Sequence, residues 1–199
     1  MKSSMRGRAD LASLSVDYLL GSPAVEMGKY FADSNLGYAL IGGQAVNCWT
    51  VPRVTNDYDF VVLADRDAIE TVEALLARLG FQYLRRQDSD EPSGPDFVRM
   101  ELPGRAIIVD LQAAKTEFQE AIVARAATTP GLGTRIATPE DLLVLKLIAS
   151  RSKDNDDAHR LGSIPDLDWK YVESRSMEWQ VSDRLARLRA SLAGPTGPP

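Results

Sequence analysis

Apolar and polar positions along the chain follow two periods, and the switches between them mark out the elements. Leu11, Leu14, Tyr18 and Leu19 recur at helical spacing over residues 10–20, and a second short helix is predicted over 24–32, after Ser22-Pro23. The apolar run 39–41 meets Gly42-Gly43 and then the helix-compatible stretch 44–49, which reads as strand, tight turn and helix. Another strand begins after Pro52. Ile69, Val72, Leu75, Leu76 and Leu79 lie on one stripe of a helix over 65–79 that Gly80 stops, and 81–86 is the next strand. Residues 87–96 combine acidic residues with two prolines and a glycine and read as a loop. Strands over 97–102 and 105–112 flank Pro103-Gly104 as an antiparallel hairpin, and a helix over 116–126 is ended by Thr128-Thr129-Pro130-Gly131.

The C-terminal third turns helical. Thr138-Pro139-Glu140-Asp141 supplies a cap, a first-turn proline and an acidic residue three after the cap, ahead of the apolar run 142–149. If that helix continues unbroken, Lys146, Lys153 and Asp157 fall within roughly 20° of one line at about 100° per residue. Lys146, set in an apolar run, is then either a lysine snorkelling to the surface or a contact for an anion. Ile164-Pro165 opens another helical region in which Trp169, Val172 and Trp179 pack, and a last helix covers 182–192. Its Arg184, Arg187 and Arg189 make it the most basic segment: a solvated face, or a surface for RNA or an acidic partner. The tail 194–199 is expected to be disordered.

The chemistry concentrates between residues 38 and 62. Asp57 and Asp59 are two apart on a strand, so both carboxylates leave one face with Cα atoms roughly 7 Å apart, while Tyr58 and Phe60 point the other way. Such a pair repels itself unless a cation compensates, and Mg²⁺ takes one or two protein carboxylates and fills its shell with water and phosphate oxygens. Gly42-Gly43 lets backbone approach an anion, and the N–H groups that open the following helix point at it. Glycine turn, helix start and carboxylate pair together suit a nucleoside triphosphate. Asp110 interrupts the apolar run 106–111, either as a strand-end residue or as a further carboxylate of the same site.

Composition narrows the setting. With 199 residues, 44% apolar and 26% charged, the chain is of ordinary globular type. A net charge of -5 gives no general basic field for nucleic acid, so an RNA substrate would need a local patch. Cys48 is the only cysteine and His159 the only histidine, which leaves no internal disulfide and no Cys/His metal cluster. No run reaches transmembrane length and no apolar core follows the basic N-terminus, so a cytoplasmic protein with no membrane partner is expected.

Ile41-Gly42-Gly43 followed by Asp57-Tyr58-Asp59-Phe60 resembles the signature of the nucleotidyltransferase superfold. Arg53-x-Thr55-x-Asp57-x-Asp59 and Lys153-Asp154-x-x-Asp157 look most like the abortive-infection, AbiE-type toxin nucleotidyltransferases. The resemblance spans about residues 38–161 and implies an α/β fold: a small mixed sheet flanked by helices, with a C-terminal helical part. The corresponding division is N-terminal helices (1–35), transferase core (36–137), helical part (138–193) and tail (194–199). It further implies Mg²⁺ (or Mn²⁺) on Asp57, Asp59 and Asp110, with these three and Lys153 catalytic. Gly42, Gly43, Arg53, Thr55, Lys146, Lys153 and Asp157 would bind the nucleotide. The implied activity is nucleotidyl transfer to a hydroxyl, with a transfer RNA 3′ end as the implied target of a toxin that has a cognate antitoxin. Transfer to a small molecule such as an antibiotic, or to a protein, and a catalytically silent antitoxin-like module are the alternatives.

Overall fold

A computed structural model describes residues 23–88, 96–128 and 133–193. The helix expected over 10–20, most of the loop 87–96, the stop signal at 129–131 and the tail lie outside the described residues. The elements in order are α1 (Pro23–Asp33), β1 (Gly37–Ile41), α2 (Gly42–Trp49), β2 (Asp57–Leu63), α3 (Arg66–Arg78), β3 (Gln82–Gln87), β4 (Phe97–Leu102) and β5 (Ile107–Ala113). There follow α4 (Glu117–Arg125), β6 (Ala127–Thr128), β7 (Arg135–Ile136), α5 (Pro139–Ala149), α6 (Ser152–Gly162), α7 (Trp169–Glu178) and α8 (Ser182–Leu192).

The strands form one mixed sheet in the order β3-β4-β5-β2-β1-β7-β6. β2 runs parallel to β5 and antiparallel to β1, so the crossover between β2 and β5 is made by α3, the edge strand β3 and its neighbour β4. The β4-β5 hairpin turns where Gly104 (φ 76°) and Ala106 (φ 50°) take left-handed conformations, beside the predicted Pro-Gly. Period-2 alternation divides the strands. β4 buries Val98, Met100 and Leu102 and leaves Phe97, Arg99 and Glu101 half-buried on its other face. On the covered face, Phe60 of β2 meets the ring of Phe31 from α1 edge-on, centroids 5.4 Å apart.

α5 to α8 pack on one another and reach the sheet through α2, against which both α5 and α6 rest. Asp141, buried at the start of α5, ties this group together. It accepts from Arg125 Nε (3.0 Å), Thr138 Oγ1 (2.9 Å) and the Tyr171 hydroxyl (2.6 Å). The Arg125 guanidinium lies 4.0 Å from the centre of the Tyr171 ring. Burial and the Asp141 carboxylate push the Tyr171 hydroxyl up to about 12.

Three expectations for this region are corrected. The helix from Pro139 is broken: Ser150 adopts the left-handed conformation (φ 51°, ψ 28°) and α6 starts anew at Ser152. Asp154 makes the restart favourable, since its carboxylate accepts from the Arg151 backbone N–H (3.3 Å) and from Arg151 Nε (2.6 Å). Lys146, Lys153 and Asp157 therefore do not share one helical line. Lys146 does not snorkel either, for its side chain is 7% exposed and ion-paired. Nor are the arginines of α8 all free for a partner. Arg184 Nη1 donates to the carbonyls of Leu147 (2.7 Å) and Ile148 (2.9 Å), satisfying the C-terminal end of α5. Arg187 and Arg189 are both exposed, but Arg189 stacks 4.6 Å from the Trp169 ring centre and pairs with Glu173, which leaves Arg187 as the one of the three with no partner among the described residues.

Candidate active site

The chain leaves β1 at Ile41 and enters α2 through Gly42, whose φ of +68° suits glycine. A second constraint acts on the same residue. A Cβ at Gly42 would lie 1.9 Å from Asp59 Oδ2, so the carboxylate is seated directly on the glycine turn. A Cβ at Gly43 would meet Thr55 Oγ1 at 2.9 Å and an Arg53 Nη2 at 3.2 Å, which places the 51–56 loop over the second glycine. Two residues of α2 that the sequence reading passed over hold that loop. Gln44 Nε2 donates to the Thr55 carbonyl (3.0 Å). Asn47 donates to the Arg53 carbonyl (2.7 Å) and accepts from the Arg53 N–H (3.0 Å).

Strand register assembles the carboxylates. Asp59 pairs across β2-β5 with Asp110, and Asp57 pairs with Ile108, so Asp57, Asp59 and Asp110 share one face. Burial first, then Asp110 and Asp57, push the Asp59 carboxyl up from 3.8 to about 7. The register continues outward: Asp110 is opposite Arg99 of β4, and Arg99 opposite Arg85 of β3. Arg99 grips Asp110 through Nε to Oδ1 (2.7 Å) and Nη2 to Oδ2 (2.5 Å), and the same Nη2 is 3.5 Å from Asp57 Oδ2. Among the described residues no three ligand-type side chains close into a ready metal cage. The donor set is nonetheless all oxygen, and its mutual repulsion, seen in Asp59, is the condition that a hard divalent cation relieves.

Behind the glycine turn lies a buried ion cluster. Lys146 Nζ is 3.0 Å from Asp154 Oδ1 and 2.9 Å from Asp157 Oδ2. Asp157 also receives Arg53 through Nε (2.8 Å) and Nη2 (2.7 Å), and Arg160 Nη2 (2.5 Å). Burial alone would raise Asp157, but the hydrogen bonds from Arg53, Lys146 and Arg160 outweigh it and hold the carboxyl well below the usual carboxylate range. With Arg151, four cations face the two buried carboxylates and the nearby Asp156, leaving one net positive charge beside the glycine turn. That excess suits a polyphosphate.

Of the residues singled out from sequence, the structure brings together Gly42, Gly43, Arg53, Thr55, Asp57, Asp59 and Asp110, with Lys146 and Asp157 adjoining them. Lys153 stands apart, exposed on the first turn of α6, and among the described residues its ammonium has no partner. Lys153→Ala is expected to leave the melting temperature unchanged and, if the ammonium meets the triphosphate, to weaken nucleotide binding by about 1.5–3 kcal/mol. Calorimetry with Mg²⁺ and nucleotide checks both; equal affinity removes Lys153 from the site.

Solved structures share this architecture. An antigenic nucleotidyltransferase-like protein from Paracoccidioides brasiliensis superposes with a TM-score of 0.55 at 20% identity, over 90% of this chain and 92% of that one. The antibiotic-resistance factor ANT(2'')-Ia gives 0.53 at 15% identity, over 92% and 98%. The fold is that of the nucleotidyltransferases. A third example of the nucleotidyltransferase fold, the lincosamide antibiotic adenylyltransferase LnuA in its lincomycin-bound form, gives 0.51 at 15% identity, over 70% and 94%. No protein-family model matches the sequence, and no curated protein matches it. No helix among the described residues is long and apolar enough to cross a membrane.

Proposed function

We propose that the chain is a metal-dependent nucleotidyltransferase that moves a nucleotide from a nucleoside triphosphate to an acceptor hydroxyl. One observation carries this reading: strand register sets Asp57, Asp59 and Asp110 on one face, with the Asp59 carboxylate seated on the Gly42 turn. Asp57 and Asp59, with Asp110 beside them, would hold Mg²⁺ or Mn²⁺, which when bound neutralises phosphate charge and polarises the phosphorus–oxygen bonds. The free N–H groups that open α2 donate to the triphosphate, which the glycines admit to close approach. Arg53, clamped by Asp157 and Asn47, keeps its loop over that turn. The acceptor oxygen bonds to the α-phosphorus as the bond to the bridging oxygen breaks. Pyrophosphate leaves with that electron pair, and the hydroxyl proton passes to a carboxylate of this face, the role proposed for Asp110. Rate enhancement comes from positioning and charge neutralisation.

For the acceptor we favour a small hydroxyl-bearing molecule. Of the α8 arginines proposed to meet RNA, Arg184 is engaged in capping α5 and Arg189 in stacking, and two proteins of the same fold, nearly their whole length covered, are an antibiotic adenylyltransferase and an antibiotic-resistance factor. A toxin acting on the 3′ end of transfer RNA, with a cognate antitoxin, is the second reading. It rests on the Arg53 to Asp59 and Lys153 to Asp157 motifs. Incubation with Mg²⁺ and each α-labelled triphosphate, offering total RNA, cell protein and a panel of aminoglycosides and lincosamides, separates them. Label in a small molecule is the expected result; label in RNA, with a steep loss on adding salt, establishes the toxin reading.

A further inference from the structure

The carboxylate face already holds a cation of its own. The Arg99 guanidinium spans two of the three acidic side chains, doubly bonded to Asp110 and 3.5 Å from Asp57, the carboxylates that would hold a divalent metal. We propose that Arg99 is a resident counter-cation which the divalent metal must displace, so that metal loading and release of Arg99 are one exchange. The inference rests on the nucleotidyl-transfer reading of the site and concerns a residue to which that reading gives no task.

Three features distinguish this arrangement from an ordinary ion pair within a sheet. Its position comes from register, for Asp59, Asp110 and Arg99 form one continuous row across β2, β5 and β4, so the guanidinium can reach Asp110 and Asp57 together. The side chain is 34% exposed while the Asp110 side chain is 6% exposed, so the arginine can leave without unpacking the core but the carboxylate cannot follow it. A resting place is available on the same face of β4: the Phe97 ring centre is 6.0 Å from the guanidinium carbon, and Glu101, two residues further on, offers another carboxylate. Arg99 and a dication compete for the same lone pairs. Each carboxylate oxygen that faces the guanidinium must give up a charge-assisted bond before it can ligate metal. Metal affinity is thereby lowered and Asp110 is held in place while the site waits for its metal–nucleotide.

Mn²⁺ binding to the full chain, followed by the spectroscopic signal of the free ion, tests the exchange without reference to activity. Arg99→Gln should bind Mn²⁺ about tenfold more tightly than wild type, since the competitor is gone, and Arg99→Lys, which lacks the two-pronged grip, should fall between them. In the wild type, diamagnetic Mg²⁺ should also abolish the nitrogen-15 signal of the Arg99 Nε–H, which the bond to Asp110 should protect from exchange in the metal-free protein. Without metal, Arg99→Gln should melt lower than wild type and recover more on adding Mg²⁺, because the carboxylates are left with no counter-cation. Should the glutamine variant fail to fold, the lysine variant and the wild-type Nε–H signal still decide. Wild-type Mn²⁺ binding with unchanged or weaker affinity in both variants would overturn the exchange and leave the transferase reading intact. Absence of Mn²⁺ binding in wild type and variants alike would overturn both.

Discussion

Asp59→Asn is expected to abolish nucleotidyl transfer and, without metal, to raise the melting temperature at pH 8 by a few degrees. The carboxyl is pushed up to about 7 in the folded chain by burial, Asp110 and Asp57, against an ordinary value of 3.8. Between those two values the folded chain keeps a proton that the unfolded chain has lost, so wild-type stability falls as pH rises through this window. Above 7 both states are ionised and the repulsion is carried in full. The gain from asparagine should therefore be absent near pH 4, grow towards pH 7 and level off, at about 1–2 kcal/mol or roughly 2–8 °C. Mg²⁺ should reverse the order, stabilising wild type and leaving Asp59→Asn unmoved. Melting curves at three pH values with and without Mg²⁺ read this out; a variant that melts lower than wild type at pH 8 without metal contradicts it.

Asp157→Ala should instead produce a large loss of stability. Its fully buried carboxylate is the common partner of Lys146, Arg53 and Arg160, and alanine leaves Lys146 buried with Asp154 as its remaining partner. Breaking a buried pair by removing one member costs about 3–5 kcal/mol, or roughly 6–20 °C in a chain of this size. The pH sign is opposite to that of Asp59. Because the hydrogen bonds hold Asp157 below its ordinary 3.8, its contribution is complete above that value and fades as pH falls further. Asp157→Asn, which keeps the shape and part of the hydrogen bonding, should cost less. Nucleotide affinity should fall in both variants, since Arg53 loses the clamp that keeps its loop over Gly43. Urea unfolding at pH 7 gives the number, and a loss below about 1 kcal/mol would mean that the cluster is not a structural hub.

The centre of the site is legible in the sequence because its geometry is local. Period-2 alternation fixes Asp57 and Asp59 on one face, and two adjacent glycines after an apolar run mark the turn. Asp110 is visible as a charge inside an apolar strand, but its alignment with Asp59 is a matter of pairing between β2 and β5 across an intervening helix and two strands. Other partners carry no local signal. Arg99 alternates with buried Val98 and Met100, the pattern of any solvated strand face, and only register turns it towards Asp110. The break at Ser150 involves neither glycine nor proline, and a left-handed serine held by the Asp154 restart cannot be read from propensity. That break carries Asp154 and Asp157 back to Lys146, which is why a lysine resembling a snorkelling side chain is buried. Arg184, read as a basic surface, is consumed by carbonyls from a helix more than thirty residues earlier.

Calorimetric titration of nucleoside triphosphates into wild type and into the Asp57→Asn and Asp59→Asn variants, with Mg²⁺ and with chelator, tests the central claim most directly. The account predicts that at least one triphosphate binds wild type in a Mg²⁺-dependent manner and that this dependence disappears in both variants while their melting curves stay cooperative. Failure of every triphosphate to bind wild type with Mg²⁺ present, or undiminished Mg²⁺-dependent binding in both variants, would contradict the assignment of the glycine turn and the carboxylate face as a metal–nucleotide site.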